Sequence, residues 1–318
     1  MSTASPQPAH QAGTPVFSRL ITVQEAPPSP DAAAEQARNF CAELEAGNIL
    51  LLPRSPIHIP KEDRKLLLGQ KQTSSAYHKN IAYRPSEDRV TGLDASEQAQ
   101  AQELRRLLRD YSRRAAAFLD SFLLPYAHKW TMDFASFRPI EEQGRTARLH
   151  ARNDLLHFDS FPTRPTNGAR ILRLFTNLNP AQNRVWLTSQ TFEGFAPRFA
   201  ASAGLLLAPR HSFKDAFRSM ARALHFPVAQ RPPYDDFMHR CHNAMKEDAA
   251  FQETTPKQRW EFPPNSTWLV FTDGVSHAVL SGQYALEQTF LVPQSALVEP
   301  HRSPLASLQK ITGKQLTI

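Results

Sequence analysis

The chain is poor in cysteine and contains no long apolar run. Its two cysteines, Cys41 and Cys241, exclude a disulfide-rich secreted scaffold and favour a reducing compartment. Apolar runs such as 49–52 are far shorter than the roughly 18 to 20 residues that a membrane-spanning helix needs. The N-terminus also lacks a charged segment followed by an apolar one, which argues against a secretory signal peptide. We therefore expect a soluble, cytoplasmic protein.

The chain does have enough apolar residues for a full core and a clear excess of positive charge. With 318 residues, 41% of them hydrophobic, it can form one large domain or two modest ones. A net charge of +7 suggests an anionic partner, such as nucleic acid, a membrane surface, or a phosphorylated or carboxylated substrate. No zinc-finger, RNP-like or helix-turn-helix signature is present, so we do not expect nucleic acid. Nothing in the sequence predicts a protein partner.

Local composition divides the chain into three parts. Residues 1–30 are rich in Pro, Ala, Ser and Gln and predict a disordered tail, although 16–23 could add a strand. Residues 31–295 are predicted to form a single domain, and 296–318 a polar C-terminal tail. No internal repeat is visible.

Hydrophobic periodicity predicts helices first and strands afterwards. Helices are expected at 31–46, 61–68 and 94–124, with a loop at 74–92. Strands are expected at 48–52, 132–140, 145–150, 153–158, 169–178, 185–192, 267–271, 278–281 and 286–292. A helical insertion at about 196–258, with helices at 212–224 and 234–246, interrupts the strands. This order predicts an α+β protein with a strand-rich barrel or sandwich.

The segment LLHFDSF, residues 155–161, contains a His-x-Asp pair, His157 and Asp159. About half an occurrence of this pattern is expected by chance, so the pair alone is a weak signal. In a strand, however, residues i and i+2 point to the same face and could bind one ion. His277, which opens a strand after the Asp273-Gly274 turn, is the candidate third ligand. Two histidines and one carboxylate form the facial triad of non-haem Fe(II) oxygenases, which leaves coordination positions for a bidentate cosubstrate and O2.

Two other metal chemistries remain open at this stage. His239 and His242, three residues apart on a predicted helix, could bind zinc, but no Cys or carboxylate cluster with zinc-ligand spacing completes the site. We therefore interpret this pair as solvated surface. A metal-binding β-barrel without oxygenase activity, such as a sugar isomerase or a hydrolase, is the alternative function.

A 2-oxoglutarate cosubstrate would need a cation for its far carboxylate, because burying that anion unpaired is costly. Many oxygenases place an arginine about ten residues after the distal histidine, but Gln288 stands in that region here. Arg173, inside an apolar predicted strand, is the expected clamp, with Asn177 on the same face and Arg170 as the alternative. An arginine that reaches solvent from the strand is the other interpretation of Arg173.

The run FRPIEEQGRTARLHARNDLLHFDSFPTRPTNGARILRLFTNLNP, residues 137–180, closely resembles the Kdo 3-hydroxylases. These bacterial enzymes act on the lipopolysaccharide sugar 3-deoxy-D-manno-oct-2-ulosonic acid (Kdo). The stretches CAELEAGNILLLP, YHKNIAYRP and FTDGVSHAVLSGQYALEQTF resemble the same family, so the resemblance covers about 38–293. It implies a double-stranded β-helix (jelly-roll, cupin-like) core and an Fe(II)/2-oxoglutarate-dependent dioxygenase. It also implies that His157, Asp159 and His277 are the iron ligands.

The resemblance further implies hydroxylation of C3 of Kdo in Kdo-lipid A, which gives the sugar Ko. We expect Fe(II), 2-oxoglutarate and O2 as cofactors, with ascorbate as a supporting reductant. Because this glycolipid is strongly anionic, Arg152 and Arg164, which flank the His-x-Asp pair, are candidate substrate-binding residues, although loop arginines are often simple surface charge. The basic face of the 94–124 helix could attract anionic lipid. We therefore expect a peripheral protein on the cytoplasmic side of the bacterial inner membrane.

Overall fold

The structure is a computed structural model that describes residues 16–24, 29–70, 80–93, 100–202 and 232–317, with the backbone alone for 198–202. Its helices are α1 (Pro30–Glu45), α2 (Lys61–Leu68), α3 (Ala101–Phe122), α4 (Phe192–Ser202), α5 (Pro233–Glu247), α6 (Ala249–Thr254) and α7 (Pro304–Thr312). Its strands are β1 (Leu20–Thr22), β2 (Ile49–Leu52), β3 (Ile81–Arg84), β4 (Arg89–Thr91), β5 (Thr131–Arg138), β6 (Arg170–Asn177), β7 (Arg184–Thr191), β8 (Gln258–Phe262), β9 (Thr267–Phe271), β10 (Val275–Ser281) and β11 (Ala285–Val292).

These strands form two sheets that face each other. The large sheet has the order β1-β2-β9-β6-β11-β5-β3-β4, and the small sheet has the order β10-β7-β8. Neighbouring strands pair antiparallel, except that β1 runs parallel to β2. Phe175 of the large sheet packs against Trp186 of the small sheet, with ring centroids 5.0 Å apart, so the core is a jelly-roll sandwich. The α+β prediction is confirmed.

The large sheet has an outer face covered by helices and an inner face turned toward the small sheet. On β6, Leu172 and Leu174 belong to the outer core, together with Leu107 of α3. Phe175, with the opposite strand parity, belongs to the inner cluster with Trp186. Alternate residues of one strand therefore serve the two faces.

Sequence periodicity explains the helices on the outer face. The apolar positions of α3 recur at three- and four-residue steps and are buried. At α1, the Ser29 side chain accepts a hydrogen bond from the Ala32 backbone N–H at 3.3 Å, which caps the helix. The predicted helix starts at residue 94, but 94–99 lie outside the described residues, and the described helix starts at Ala101.

The C-terminal residues do not form the predicted polar tail. Helix α7 buries Leu305 and Leu308 in a cluster with Phe158 and α5. Ser303 caps its start by accepting a hydrogen bond from Ala306 N–H at 3.1 Å, and Gly313 ends it with a φ of +63°. The composition is polar because one face of α7 remains in water, whereas the other packs on the domain.

Several predicted boundaries on the N-terminal side also change. Within the predicted 1–30 tail, β1 pairs with β2, and α1 starts at Pro30. The described part of the predicted 74–92 loop contains the β3–β4 hairpin, whose strands pair through Tyr83 and Val90. Its short strands lack a long alternating pattern, which is why periodicity missed them.

The strands predicted at 145–150 and 153–158 are not regular strands. A 3-10 turn occupies Leu149–Ala151, and only His157 forms a bridge to β10. The Arg145 N–H donates to the Glu142 carbonyl at 3.3 Å, which closes a turn just before the first segment, and residues 145–150 join neither sheet. The helical insertion is present as α4, α5 and α6 between β7 and β8, whereas the helix predicted at 212–224 lies outside the described residues.

Candidate metal centre

Backbone pairing brings the His-x-Asp segment against the start of β10. The His157 N–H donates to the His277 carbonyl at 3.1 Å, and the His277 N–H donates to the His157 carbonyl at 3.0 Å. Two residues after His157, the Asp159 N–H donates to the Thr272 carbonyl at 2.9 Å. These bonds fix the register between two segments that are remote in sequence. Since residues i and i+2 of an extended segment share a side, His157 and Asp159 point together toward His277.

The three predicted ligands form one compact cluster. Their candidate ligand atoms all lie within 4.8 Å of one another. Asp159 Oδ1 is 3.7 Å from His157 Nε2, and Asp159 Oδ2 is 3.9 Å from His277 Nε2. The His157 and His277 side chains are only 7% and 6% exposed. Two nitrogen donors and one carboxylate at these separations fit a divalent transition-metal ion such as Fe(II).

Both imidazoles are held in the tautomer that metal binding needs. His157 Nδ1 lies 2.7 Å from the Leu155 carbonyl, and His277 Nδ1 lies 2.9 Å from the Val275 carbonyl. Because a carbonyl only accepts, each Nδ1 carries the proton and each Nε2 keeps a lone pair. Burial lowers the pKa of both histidines, which favours the neutral form. The Nε2 atoms are thus available as ligands.

Asp159 is ionised and incompletely hydrogen-bonded. Burial raises the pKa of its carboxyl, but the Arg173 guanidinium, the two histidines and a hydrogen bond from Thr272 together lower it more, so the net pKa lies below the usual value. Arg173 Nε is 3.0 Å from Asp159 Oδ2. This distance makes an ion pair, but the geometry is not that of a hydrogen bond. Asp159 Oδ2 is buried and accepts no hydrogen bond from the described residues. A buried anionic oxygen without a full set of partners suits a metal ion.

A chain of buried charges continues from Asp159 across the inner face of the large sheet. Arg173 Nη1 contacts Glu287 Oε1 at 2.7 Å, and Arg138 forms an ion pair with the same carboxylate. The hydroxyls of Ser136 and Thr289 donate to Glu287 at 3.2 and 2.9 Å. Burial raises the pKa of Glu287, but the Arg173 and Arg138 guanidiniums bring it below its usual value.

Sequence reasoning missed Glu287 and Arg138 because it considered Gln288. The Gln288 amide donates to the Asp133 and Thr289 carbonyls, both at 2.9 Å, and is fully buried. Its neighbours in strand parity, Leu286 and Phe290, belong to the outer core. The inner face of β11 therefore carries an acid, Glu287, in the region where the spacing in many oxygenases would place an arginine. Because alternate residues of a strand share a face, counting back from the apolar Phe290 would have placed Glu287 on the inner face.

The residues proposed beside Arg173 on β6 have other contacts. Asn177 donates to the Gln182 and Phe262 carbonyls at 2.9 Å each and accepts from the Asn179 N–H, which fixes the loop after β6. Its contact with a cosubstrate stays a prediction. Arg170 has the opposite strand parity to Arg173 and pairs with Asp273 at 2.8 Å, so it does not share a face with the clamp position.

The two predicted substrate-binding arginines differ in their surroundings. Arg152 is paired with Asp154, with Arg152 Nε 3.0 Å from Asp154 Oδ1. Arg164 contacts Asp133 at 3.0 Å and lies over the rings of Phe134 and Phe161. Contact with the substrate stays a prediction for both Arg152 and Arg164.

The interpretation of His242 as solvated surface is wrong. Its Nδ1 donates to the Phe158 carbonyl at 2.8 Å, and its ring lies 4.9 Å from that of His157. Burial lowers the pKa of His242 to about 4. From the same helix, α5, the Lys246 ammonium donates to the carbonyls of His150 and Arg152 at 3.1 and 2.7 Å. Helix α5 therefore holds the backbone that carries the metal ligands, a role that spacing alone did not reveal.

The family comparison matches residues 28–315 to the 3-deoxy-D-manno-oct-2-ulosonic acid (Kdo) hydroxylase family. Among solved structures, the apo form of the Kdo hydroxylase KdoO, a non-heme Fe(II) alpha-ketoglutarate-dependent dioxygenase, is 31% identical, with a TM-score of 0.80. That match covers 94% of this chain and 97% of KdoO. KdoO in complex with alpha-ketoglutarate and Fe(III) is 30% identical, covers the same shares of the two chains and has a TM-score of 0.79. No curated protein matches the chain.

These similarities extend over the sheets, the helices and the candidate metal centre. They confirm the double-stranded β-helix prediction, since this fold is the core of the Fe(II)/2-oxoglutarate oxygenases that the chain matches. Alpha-ketoglutarate is another name for 2-oxoglutarate, so the predicted cofactor class agrees with the ligands of KdoO. The family match spans most of the chain, and it includes both segments that supply the His–Asp–His cluster. The chain belongs to the Kdo hydroxylase family.

Proposed function

We propose that this protein is an Fe(II)/2-oxoglutarate-dependent dioxygenase that hydroxylates C3 of the Kdo sugar in Kdo-lipid A to give Ko. The observation that carries the proposal is the buried cluster of His157, Asp159 and His277 inside the jelly roll. Family membership supports Kdo as the substrate sugar. No observation favours the alternative of an isomerase or a hydrolase.

The three clustered side chains would hold the iron. His157 and His277 would bind through Nε2, and Asp159 would bind through a carboxylate oxygen. Bound Fe(II), with 2-oxoglutarate and O2, supplies the oxidising power that replaces a C–H bond by C–OH while 2-oxoglutarate becomes succinate and CO2. Trp186 stacks on His277 with ring centroids 5.2 Å apart, and this apolar wall would keep water from the reacting atoms.

Arg173 is the proposed partner of the far carboxylate of 2-oxoglutarate. Its side chain is only 13% exposed, and it lies beside the ligand Asp159. A guanidinium has several N–H donors, so its contacts with Asp159 and Glu287 leave capacity for another carboxylate. Arg138 adds a second buried positive charge on the far side of Glu287. Arg173 would therefore orient both an iron ligand and the cosubstrate, with Asn177 further along the same strand.

We also propose that the protein acts at the cytoplasmic surface of the inner membrane as a peripheral protein. Within the described residues, no helix is long and apolar enough to span a bilayer. The net charge of +7 would favour anionic lipid and the phosphates of lipid A. Three acids, Asp63, Asp88 and Asp110, pair with arginines of the basic α3 face, which weakens that attraction. Sedimentation with neutral and anionic vesicles tests it, and equal binding to both contradicts it.

The activity is tested with Kdo-lipid A, Fe(II), 2-oxoglutarate and ascorbate under air. We expect a product that has gained one oxygen atom and an equal amount of succinate, with the new hydroxyl at C3 by NMR. Omission of 2-oxoglutarate or O2 should abolish both. A product formed without either of them would contradict the oxygenase assignment and favour an isomerase or a hydrolase.

A further inference from the structure

A second group of cations lies on the inner face of the large sheet, toward the edge formed by β3 and β4. Tyr83 of β3 pairs with Ala135 of β5, and both residues belong to the outer core. Their sequence neighbours Arg84 and Phe134 therefore lie on the opposite, inner face, the face that carries Arg173. The Arg84 guanidinium carbon is 5.0 Å from the centroid of the Phe134 ring.

Arg164 reaches the same ring from the loop that follows the metal ligands. Its guanidinium carbon is 3.8 Å from the Phe134 centroid and 4.4 Å from the Phe161 centroid. The Phe161 ring also lies 5.8 Å from the guanidinium carbon of Arg173. Since Phe161 is two residues after Asp159, this group begins beside the metal centre and extends outward to Arg84.

Arg84 and Arg164 each have one acidic partner and one buried donor that this partner leaves unused. Arg164 pairs with Asp133 at 3.0 Å, and Arg84 contacts the exposed Glu87 at 3.3 Å. The Nε atoms of Arg84 and Arg164 are buried and have no hydrogen-bond acceptor among the described residues. Both side chains are about one-third exposed, at 35% and 36%, so a ligand can reach them.

The pKa of Arg164 also reflects the nearby arginines. Burial lowers the pKa of Arg164, Asp133 raises it, and the guanidiniums of Arg173 and Arg84 lower it again. Like charges held this close repel each other, so a further anion bound between Arg164 and Arg84 would be stabilised. Arg152 donates to Asp154 through both Nε and Nη2, whereas the Nε of Arg164 has no acceptor among the described residues. Arg164 is therefore the better anion-binding candidate of the two.

We infer that Arg84 and Arg164, with the Phe134 ring they share, form the subsite that binds the carboxylate of the sugar-acid acceptor. This inference rests on the proposed function, because it places the acceptor beside the metal centre. In a 2-ulosonic acid the carboxylate carbon is bonded to C2, the neighbour of C3. A cation group that starts next to the iron ligands suits this short spacing, whereas the phosphates of lipid A are several sugar bonds away.

The test compares Arg84→Gln and Arg164→Gln with Arg89→Gln as the matched control. Arg89 pairs across the same hairpin with Arg84 and contacts the same acid, Glu87, so its substitution removes an equal charge nearby. We expect the KM for Kdo-lipid A to rise about tenfold or more in the first two variants, because each loses a charge-assisted hydrogen bond. The KM for 2-oxoglutarate should stay at the wild-type value, and the control should resemble wild type.

Equal rises in all three variants would overturn the subsite, since bulk charge would then explain them. A rise in the KM for 2-oxoglutarate instead would overturn it too, because the cations would then serve the cosubstrate. Unchanged KM values with normal hydroxylation would also reject the inference while the proposed function stands.

Binding without turnover separates the inference from the activity. Kdo-lipid A and its Kdo methyl ester are titrated against the protein without iron, with lipid A lacking Kdo as a third ligand. Esterification should weaken binding to wild type about as much as Arg164→Gln does, and should add little in that variant. Full additivity of the two changes would overturn the inference, as would an equal loss of affinity for lipid A without Kdo, which would point to phosphate. A positive binding result without hydroxylation would instead reject only the proposed reaction.

Discussion

On β6, Leu172 and Leu174 pack under the N-terminal helices, whereas Arg173, between them in sequence, faces the metal ligands. The same alternation continues on β11, where Leu286 belongs to the outer core and Glu287 to the inner charge network. The outer face stabilises the fold by removing apolar area from water. The inner face buries charges, which seldom add net stability even when they are paired. This contrast indicates that the inner face is shaped by chemistry and the outer face by packing.

The largest difference between the faces is expected at a metal ligand. Asp159→Ala removes the carboxylate of the cluster. Loss of a residue that only hydrogen-bonds to a metal ligand can lower metal affinity roughly 100-fold, so loss of the ligand itself should weaken iron binding by more than that. Hydroxylation should fall below detection. Iron titration followed by metal analysis measures the effect, and Asp236→Ala, an exposed acid on α5, is the control. Retention of iron by Asp159→Ala would contradict the assignment.

On the outer face, truncation should affect stability and leave the chemistry of the folded protein intact. Leu174→Ala opens a cavity at a fully buried position and should cost about 2–5 kcal/mol in the free energy of unfolding. Iron affinity should remain close to wild type. Leu124→Ala, at a position that is 44% exposed, should change stability by less than about 0.5 kcal/mol. Urea unfolding distinguishes them, and similar costs for the two variants would show that the outer core is wrongly placed.

On the inner face, Glu287→Gln tests the charge network. The substitution removes the anion between Arg173 and Arg138, so we expect a loss of about 1–3 kcal/mol in stability. It should also change the KM for 2-oxoglutarate, because Arg173 would lose a partner that orients it. Glu261→Gln removes an exposed pairing with Arg259 and is the control. No change in either measurement would mean that Glu287 does not position Arg173.

At neutral pH the smallest effect is expected at His242, because its contribution to the pH dependence of stability appears only as the pH falls. Burial lowers the pKa of His242 from 6.5 to about 4, so the folded state disfavours its protonated form. The stability due to neutral His242 is complete above its unfolded pKa and is lost as pH falls from about 6.5 toward 4. His242→Gln should remove up to about 1.4 kcal/mol per pH unit from that slope. Unfolding curves of the metal-free protein across this pH window measure the slope of stability against pH. Equal slopes for wild type and His242→Gln would contradict the lowered pKa of His242.

The outer face was largely predictable because helical periodicity and strand alternation record burial directly in the sequence. The apolar stripe of α3 and the strands β6, β7 and β11 appear where the pattern predicts them. Helix α7 was missed because one face of a short helix carries few apolar residues. Composition averaged over such a segment resembles that of a tail.

The inner face was predictable only at the metal ligands. The His157–Asp159 spacing has a chemical meaning along one strand face, and the place of His277 after the Asp273-Gly274 turn made it the candidate third ligand, which the family resemblance then supported. Glu287 and Arg138 come from different strands, and only the sheet order β6-β11-β5 makes them neighbours of Arg173. No local pattern encodes a contact made across strands that are far apart in sequence. The same reason hid the contact between His242 and the Phe158 carbonyl.

The central claim is that His157, Asp159 and His277 hold one ferrous ion beside a bound keto acid. It is tested by adding Fe(II) and 2-oxoglutarate to the protein without oxygen and recording the weak visible charge-transfer band of the chelate. We predict that wild type shows the band, that His157→Ala and His277→Ala abolish it, and that Arg173→Ala shows it only at higher 2-oxoglutarate concentrations. A band that persists in both histidine variants, or its absence from wild type, would contradict the account.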